Sequence, residues 1–552
     1  MGKLRGLGVS LGVTLTVFTA GQGAIAAETV ILKYGQTQQA LAIADLETLA
    51  ATGEISENLN NLAMVLSPEQ KQQIANALQT QVEVDSVIIR NFLDTVMGRR
   101  LLGAIAALTP EEDIIQFFKL RRAITQSARN PEGLSLLGIL AAYPDPQIEI
   151  DLENAFLVAQ NFNQDFWRTQ AFMARIAPQL TPNRPDLDLP FDPTQPGNAR
   201  VRVQSLILRD RERDRAIPLD LYTSNAITPT KPVIIFSHGL FSVNEEMRYL
   251  AQHLASHGYL VAVPEHPGSN GSYLEQFFQP QNALTALFEQ VDILQPEEFL
   301  QRPQDLSFVL DYLETLNQSR NPLQGKIATN NALVLGYSLG GATALSLAGG
   351  TMQLDYLKEW CPQRETLASN LGLLAQCQAA GLPQNEYNLR DERVKGAIAL
   401  SPVTSLLFGD TGLGSIDIPT LIVAGSADKT TPALPEQIQA FQQLSQPKWL
   451  AGIIGGTHLS YKDPITTTDQ AGQPDTLYSG GEVVDTQAWE VRNYTRALTL
   501  AMAAQLTPER DRYSIFLTPE YAQFVSTNRL PLRLVRQLPD NQGLKHAERG
   551  LN

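Results

Sequence analysis

A serine between glycines is the residue of this chain best placed to act as a nucleophile. Ser338 lies in Gly336-Tyr337-Ser338-Leu339-Gly340-Gly341, after the apolar run 332–335 and before the small-residue run 342–345. A strand that turns abruptly into a helix exposes such a serine, and the flanking glycines leave space for the turn. The amide of Leu339, at the start of the helix, would then face a developing oxyanion. The segment predicts attack by Ser338 on an acyl carbon.

A serine hydroxyl needs a base to remove its proton, and His458 is the predicted base. It follows the last apolar run, in Gly455-Gly456-Thr457-His458, where a loop can bring it over the end of a sheet. The other histidine after Ser338 is His546, which lies in a polar C-terminal tail and is predicted to be solvated.

The base in turn needs an acid that orients it, and we predict Asp428 for that role. Asp428 follows the apolar run 420–425, so it lies at the end of a predicted strand, 30 residues before His458 (458 − 428). That spacing leaves room for one helix and one strand. Asp410 and Asp417 are the competing candidates, but they belong to the loop that follows the apolar run 394–400.

An oxyanion needs two N–H donors, and the second is predicted from the loop after the apolar run 233–236. This loop reads Ser237-His238-Gly239-Leu240, and Gly239 would let the backbone approach the substrate so that the amide of Leu240 points inward. His238 is open to interpretation as a second base, but we favour a hydrogen-bonding role between loops. We expect His266 to have a similar packing role.

These candidates follow short apolar runs that alternate with helical patterns. Such runs indicate a parallel sheet with helices on both faces, in which the chemistry lies beyond the carboxyl ends of the strands. Before them, residues 201–208 and 216–222 alternate in hydrophobicity around a polar turn and predict an antiparallel hairpin. The predicted parallel strands are 233–236, 260–263, 332–335, 394–400, 420–423 and 449–454.

Composition narrows the class of protein. The 552 residues carry a net charge of −15, which disfavours binding to nucleic acids. Two cysteines and six scattered histidines form no metal-ligand pattern, and we predict neither a metal nor a cofactor. In an exported chain Cys361 and Cys377 would close a short loop as a disulfide, and two unpaired thiols are the alternative.

The first 26 residues have the layout of a secretory signal peptide. Lys3 and Arg5 precede an uncharged apolar stretch, and Ala24-Ile25-Ala26 offers a cleavage site. The apolar stretch is short for a bilayer span, so an uncleaved anchor is the less favoured alternative. We therefore predict export to the periplasm or the medium, with no membrane span in the mature chain.

Residues 27–150 are predicted to form a small all-α domain. Two segments, 67–70 and 109–112, match helix-capping patterns. After the second, apolar residues recur at helical spacing, and we interpret this stripe as a packing face. The stripe consists of Ile114, Ile115, Phe117 and Phe118.

The remaining chain divides by proline content and pattern. Residues 177–199 contain six prolines, which break helices and strands, so 151–199 is predicted as a helical and proline-rich linker. A catalytic domain follows, with two insertions that could form a lid or pocket wall. Its predicted bounds are 200–505, the insertions are 268–300 and 349–391, and a C-terminal extension covers 506–552.

The ordered motifs resemble the α/β-hydrolases, in particular the branch of platelet-activating-factor acetylhydrolases and dienelactone hydrolases. The resemblance implies an α/β-hydrolase fold over roughly residues 200–470, with Ser338 as nucleophile, His458 as base, and the amides of Leu240 and Leu339 in the oxyanion hole. Residues 27–150 resemble a helical domain of unknown function found in front of bacterial α/β-hydrolases. The likeness is carried by Phe236-Ser237-His238-Gly239-Leu240, Leu254-Ala255-Ser256-His257-Gly258-Tyr259, Val263-Pro264-Glu265-His266, Gly336-Tyr337-Ser338-Leu339-Gly340-Gly341 and Gly456-Thr457-His458, and in front of them by Leu32-Lys33-Tyr34-Gly35 and Leu66-Ser67-Pro68-Glu69-Gln70.

One position departs from the acetylhydrolase pattern. Acetylhydrolases of that type carry their acid just after the strand that follows the nucleophile helix, where this chain has Ser401. Asp428 lies one strand later, as in dienelactone hydrolases. The phospholipid substrate of the acetylhydrolases is therefore not carried over.

We expect an exported serine hydrolase that cleaves carboxylic esters, of lipids or small molecules, through an acyl-serine intermediate. Thioesterase or peptidase action is an alternative, because the same three residues attack any acyl carbon. A binding module on an inactive hydrolase scaffold is the alternative from a different class. The presence of all three candidate residues argues against it.

Overall fold

The structure is a computed structural model of the chain, and it divides into two units, residues 1–156 and 157–552. The predicted signal peptide, both helix-capping segments and His546 lie outside the described residues. The described residues are 27–34, 37–52, 78, 81–82, 86–93, 102, 114–130, 133–151, 164–176, 180, 185–273, 293–361, 371–467 and 481–539.

The first unit contains a small sheet that the sequence analysis did not predict. Its described elements are β1 (Thr29–Tyr34), β2 (Thr37–Ala42), α1 (Ile43–Thr52), β3 (Gln81–Val82), α2 (Ser86–Leu93), α3 (Ile114–Ser127), β4 (Leu134–Ser135), α4 (Leu136–Ala141) and β5 (Gln147–Asp151). β1 lies between antiparallel β2 and parallel β5. The prediction of an all-α domain is therefore wrong. The β-branched start of β1 and the alternation of apolar and polar residues in β5 favour strands, and the capping patterns elsewhere do not bear on them.

Helix α3 includes the apolar stripe, but the stripe is not a packing face throughout. Ile115 and Phe118 are 54% and 56% exposed, whereas Ala123 and Ile124 are buried. At 100° per residue, Ile115 and Phe118 lie on the side of the helix opposite to Phe117 and Ile124, so the unit core cannot receive both sides. The packing-face interpretation is wrong for Ile115 and Phe118.

The second unit is built on a nine-stranded mixed sheet with helices on both faces, which confirms the predicted α/β-hydrolase fold. Its strands are β6 (Val201–Asp210), β7 (Arg215–Ser224), β8 (Pro232–Ser237), β9 (Leu260–Pro264), β10 (Ala328–Tyr337), β13 (Val394–Leu400), β14 (Thr420–Gly425), β15 (Lys448–Ile453) and β16 (Leu532–Val535), and the short strands β11 (Thr351–Gln353) and β12 (Glu386–Asn388) pair separately. Its α-helices are α5 (Gln164–Ile176), α6 (Arg248–Ser256), α7 (Glu298–Gln318), α8 (Leu339–Leu347), α9 (Leu354–Trp360), α10 (Leu371–Cys377), α11 (Gln439–Gln443), α12 (Trp489–Gln505), α13 (Arg510–Tyr513) and α14 (Pro519–Val525).

The six central strands run parallel in the order β9-β8-β10-β13-β14-β15. The predicted hairpin, β6 and β7, extends one edge, and antiparallel β16 closes the other. Successive residues of β8 point into two different cores, Val233 and Ile235 into one and Ile234 and Phe236 into the other. Helices α7 and α8 cover the first face, and α6 and α12 cover the second.

The structure packs the segments predicted as linker and extension into the second unit. Phe172 and Ile176 of α5 are buried in the core on the face of the sheet that α7 and α8 cover. Phe191, from the proline-rich stretch, lies edge-on to Tyr513 and Phe516, with ring centroids 5.1 and 5.0 Å away. Proline prevents regular hydrogen bonding, but it does not prevent neighbouring apolar side chains from packing.

The insertion 349–391 contributes α9 and α10, and the structure joins Cys361 to Cys377 between them in a disulfide. Residues 362–370 of this insertion and 274–292 of the other lie outside the described residues. Across the described part of the chain, no helix combines the length and hydropathy needed to cross a bilayer.

Replacing Phe172 by Ala should destabilise the second unit, because this side chain is 7% exposed and fills the core. We expect the free energy of unfolding to fall by about 3–5 kcal/mol. All four tryptophans lie after residue 157, so tryptophan fluorescence during denaturant unfolding reports on this unit. Ile207→Ala is the control, since Ile207 is 63% exposed. Equal effects of the two substitutions would show that α5 does not belong to the core.

Candidate active site

Ser338 occupies the sharp turn between β10 and α8. Its φ of 56° and ψ of −121° form a conformation that residues other than glycine rarely adopt. A Cβ on Gly336 would lie 1.9 Å from the carbonyl oxygen of Gly340, and a Cβ on Gly340 would lie 2.0 Å from that of Ser237. Only glycine fits either position. The Ser338 amide donates to the carbonyl of Leu400 at 2.9 Å, which ties the turn to β13.

The structure brings Ser338, His458 and Asp428 into one line of hydrogen bonds. Ser338 Oγ lies 3.1 Å from His458 Nε2, and His458 Nδ1 lies 2.8 Å from Asp428 Oδ2. All three residues are buried. When Nδ1 carries the proton and donates to Asp428, Nε2 can accept the hydroxyl proton of Ser338. The geometry can therefore activate a serine.

Asp428 is held in place by its own loop, which follows β14. The amides of Thr430 and Thr431 donate to Asp428 Oδ1 at 2.9 and 2.7 Å, and Thr431 Oγ1 donates to Oδ2 at 2.9 Å. The two amides satisfy Oδ1, while Oδ2 is shared between Thr431 Oγ1 and His458 Nδ1. Because the residue has no exposed surface, each of these donors also replaces a lost water.

The other positions considered for the acid lie elsewhere. Asp410 is exposed and lines a separate cavity of about 590 Å³, and Asp417 accepts a hydrogen bond from Arg390 at 3.1 Å. Ser401 lies just after β13, and its backbone carbonyl oxygen lies 3.2 Å from Thr431 Oγ1. The carboxylate that reaches the histidine is that of Asp428.

The predicted oxyanion donors line a cavity in front of Ser338. Leu240 and Leu339 share this cavity, of about 160 Å³, with Ser338 and His458. Within the described residues, the amides of Leu240 and Leu339 donate to no protein acceptor, so both are available to a ligand oxygen. Apolar side chains also line the cavity, namely Phe241, Leu371, Ala375, Val403 and Leu459.

A buried polar cluster supports the loop 237–240 after β8, here called the oxyanion loop, on the side away from the cavity. The fully buried guanidinium of Arg302 donates to the carbonyl of His238 and, at 3.0 Å, to Ser269 Oγ. His238 Nε2 accepts from the amide of His266 at 2.9 Å. His266 hydrogen-bonds through both ring nitrogens: Nε2 lies 2.9 Å from Ser237 Oγ, and Nδ1 lies 3.0 Å from Asp305 Oδ2.

The two histidines of this cluster are hydrogen-bonding groups. Burial, and next the charge of Arg302, hold the pKa of His238 and of His266 well below the usual value. Neutral rings with both nitrogens engaged cannot serve as a second base. The packing role expected for both histidines agrees with this geometry.

Sequence reasoning missed Arg302 and Asp305. Together with Glu298 they recur at positions i, i+4 and i+7 of α7, which places three charged residues on the buried side of one helix. Arg215 spans Glu298 and Asp305 at 2.7 and 2.8 Å, so the charges are paired. The spacing of charges on one helix face was the signal available in the sequence.

Glu482 is a second residue that sequence reasoning missed, and it contacts the loop that carries the base. Its carboxylate accepts from the amide of Leu459 at 3.0 Å, directly after His458. The amide of Val483 donates to Thr457 Oγ1 at 2.9 Å. Burial raises the pKa of Glu482 above its usual value. A single glutamate in a loop gives no sequence signal, because its partner lies 23 residues away.

Among the described residues, no group of three or more His, Cys, Asp and Glu side chains is placed to hold a metal ion. The imidazole of His458 and the backbone amides of Leu240 and Leu339 border the cavity at Ser338. Their chemistry is proton transfer and oxyanion binding.

Comparisons with known proteins match both units. Residues 26–151 match the model of a family described as alpha/beta hydrolase of unknown function (DUF1400). Residues 219–356 match that of platelet-activating factor acetylhydrolase, isoform II. The chain is 27% identical over 135 residues to a platelet-activating factor acetylhydrolase of Cavia porcellus, which is 21% of this chain and 31% of that enzyme. The match thus spans about a third of the relative's length.

The sheet topology and these matches define the class: the chain is an α/β-hydrolase. Within that class it is similar to the platelet-activating factor acetylhydrolases. The matched region contains the oxyanion loop and Ser338, and it ends before Asp428 and His458. The likeness to dienelactone hydrolases stays a prediction.

Replacing Glu482 by Ala should slow the reaction of Ser338 with a fluorophosphonate probe. The Leu459 amide loses its acceptor, and a shift of the base by about 1 Å costs on the order of 100-fold. Glu482→Gln should retain most of the rate, because the amide oxygen can accept the same hydrogen bond. The measurement is the labelling rate, alongside the melting temperature.

The exposed Glu509→Ala variant is the control for the loss of a carboxylate. A positioning role for Glu482 is contradicted by equal losses in the Ala and Gln variants. It is also contradicted by an Ala variant that labels at the original rate.

Proposed function

We propose that this chain is an exported serine hydrolase that cleaves carboxylic esters through an acyl-serine intermediate. The observation that carries the proposal is the line of hydrogen bonds from Asp428 through His458 to Ser338, which ends at a cavity with two unused amides. An acid, a base, a nucleophile and an oxyanion site are the parts that acyl transfer needs. The similarity to an acetylhydrolase supports an ester as the substrate.

In the first half-reaction, Ser338 Oγ attacks the carbonyl carbon of the ester and its proton passes to His458 Nε2. The resulting imidazolium is stabilised by Asp428, to which Nδ1–H donates. Charge develops on the former carbonyl oxygen, and the amides of Leu240 and Leu339 donate to it. When the tetrahedral species collapses, His458 returns the proton to the leaving alkoxide, which departs as an alcohol.

In the second half-reaction, water replaces the alcohol. His458 takes a proton from the water as it attacks the acyl carbon, and the same two amides bind the second oxyanion. Collapse of this intermediate breaks the bond to Ser338 Oγ, which recovers its proton from His458. The products are a carboxylic acid and the unchanged enzyme.

The cavity favours an acyl group of modest size. Its volume of about 160 Å³ is below the 300–1,000 Å³ typical of sites for drug-sized ligands. Its apolar lining suits a hydrocarbon chain, while Leu371 at its edge is 47% exposed. The ammonium group of Lys462, which lines the cavity, is paired with Glu246 at 2.7 Å and therefore offers no uncompensated charge to an anionic group.

Two features support export. Residues 1–26 have the pattern of a signal peptide. Cys361 and Cys377 are joined, and structural disulfides persist mainly in oxidising compartments. Mass analysis of the N-terminus of protein recovered outside the cytoplasm is the direct test.

Replacing Ser338 by Ala should abolish turnover of a short-chain chromogenic ester. Loss of an equivalent serine costs on the order of 10⁶ in kcat, because the remaining parts cannot form the acyl intermediate. The fluorophosphonate probe should label the unchanged chain and fail to label the variant. Persistent turnover by the variant would rule out Ser338 as nucleophile, and an unchanged chain that neither turns over nor labels would indicate an inactive scaffold.

Asp428→Asn should lower kcat by roughly four orders of magnitude while leaving KM nearly unchanged. The amide can present an N–H to His458 and stabilise the wrong tautomer of the imidazole. Asp410→Asn is the matched control, because it makes the same change at a carboxylate outside the cavity. If Asp410→Asn instead produces the larger loss of kcat, the assignment of Asp428 as the acid is wrong.

The preference for esters is tested with an ester and an amide substrate that carry the same acyl group. Faster cleavage of the amide substrate would contradict the proposal of an esterase.

A further inference from the structure

Helix α3 presents an exposed face that combines apolar and basic side chains. Ile115 and Phe118 are more than half exposed, and Arg122 and Arg129 are exposed further along. The steps of three and four residues from Ile115 to Phe118 and on to Arg122 place these side chains on one side of the helix. Arg129, just past the end of α3, lines a surface cavity together with Phe118 and Arg122. The opposite side, with Ala123 and Ile124, is buried in the first unit. We call the surface formed by Ile115, Phe118, Arg122, Arg129 and the neighbouring Arg90 the basic face.

The basic face is positively charged, whereas the chain as a whole carries a net negative charge. Among the described residues, a surface cavity of about 400 Å³ here is lined by four arginines and by no carboxylate. In the chain as a whole, acidic residues outnumber basic ones by 57 to 42. Within the described residues, Arg90, Arg122 and Arg129 have no ion pair. Lys119, on the same helix, is neutralised by Asp145. The basic face is thus a local concentration of positive charge on an acidic protein.

The apolar members of the basic face narrow the choice of partner. Exposing two large apolar side chains one helical turn apart is unfavourable in water unless a partner covers them. A polyphosphate or a nucleic acid would engage the guanidinium groups but would leave Ile115 without an apolar environment. The boundary between headgroups and acyl chains offers both environments at once, since arginine pairs with phosphate while aromatic and aliphatic side chains enter the acyl region.

We propose that the basic face binds the surface of an anionic phospholipid bilayer. The guanidinium groups of Arg90, Arg122 and Arg129 pair with lipid phosphates, and Ile115 and Phe118 insert between the headgroups. The remaining negative charge of the protein does not prevent this, because charges more than about 8 Å from the membrane are screened at physiological ionic strength. The proposal does not depend on the reaction assigned to Ser338.

The test is binding of the full chain to vesicles of phosphatidylcholine with or without phosphatidylserine, measured by flotation. All proteins carry Ser338→Ala so that no lipid is consumed. We expect the protein to bind the vesicles that contain phosphatidylserine. The double substitution Arg122→Gln with Arg129→Gln should weaken this binding by roughly thirtyfold, since each arginine near an anionic surface contributes about fivefold. Phe118→Ser should also weaken it. Inorganic phosphate should not compete beyond the effect of its ionic strength.

The matched control is Arg202→Gln with Arg209→Gln on β6, which removes the same charge from exposed positions of the second unit. Equal weakening by this control would overturn the proposal, and so would unchanged binding of the variant with Arg122→Gln and Arg129→Gln. Specific displacement by inorganic phosphate would also overturn it and identify a phosphate site.

A second measurement does not depend on arginine substitutions. Phe118→Cys introduces the one thiol outside the Cys361–Cys377 disulfide, and a polarity-sensitive fluorophore attached there should shift to the blue with phosphatidylserine vesicles. An unchanged spectrum when the protein floats with the vesicles would place the contact elsewhere and reject the basic face.

Discussion

The backbone turn at Ser338 is the constraint on which the rest of the site depends. A non-glycine residue at φ 56° costs on the order of 1–3 kcal/mol, and such a conformation persists only where neighbours impose it. Here the Ser338 amide bonds to Leu400 on β13, and its carbonyl accepts from Gly341 at 2.8 Å. Gly340 lies against the carbonyl of Ser237. The turn therefore locks together the ends of three neighbouring strands, β8, β10 and β13, and so fixes where the hydroxyl points.

The position of that turn also determines where the oxyanion loop, Asp428 and His458 lie. The oxyanion loop must follow β8, because β8 is hydrogen-bonded to β10 and its end meets the turn. Asp428 and His458 follow β14 and β15, which lie further along the same edge. Burial then makes every polar atom costly unless it is paired, which is why two amides hold Asp428 and a guanidinium holds the carbonyl of His238.

The residues that could be predicted from the sequence are those that directly follow an apolar run. Parallel strands bring their carboxyl ends to one edge, so Ser338, Asp428 and His458 could be placed together without knowledge of any contact. Glu482 could not, because its partner lies 23 residues away and no periodic pattern connects the two. Arg302 left a signal only in the spacing of the charges on one face of α7. The sheet of the first unit was missed for a related reason: capping motifs report on helix starts, whereas β1 pairs with β5 across more than 100 residues.

Periodicity also predicted helix α3 without showing which of its sides is buried. At 100° per residue, the apolar residues at 114, 115, 117 and 118 span an arc of about 160°, and the small unit buries only part of it. Ala123 and Ile124 extend the side that includes Phe117, so the core takes that side and leaves Ile115 and Phe118 outward. A large exposed apolar side chain forgoes about 1.5–3 kcal/mol of burial. The two units therefore differ in where they place unfavourable side chains. The second unit buries charged side chains in pairs, whereas the first exposes apolar side chains beside arginines.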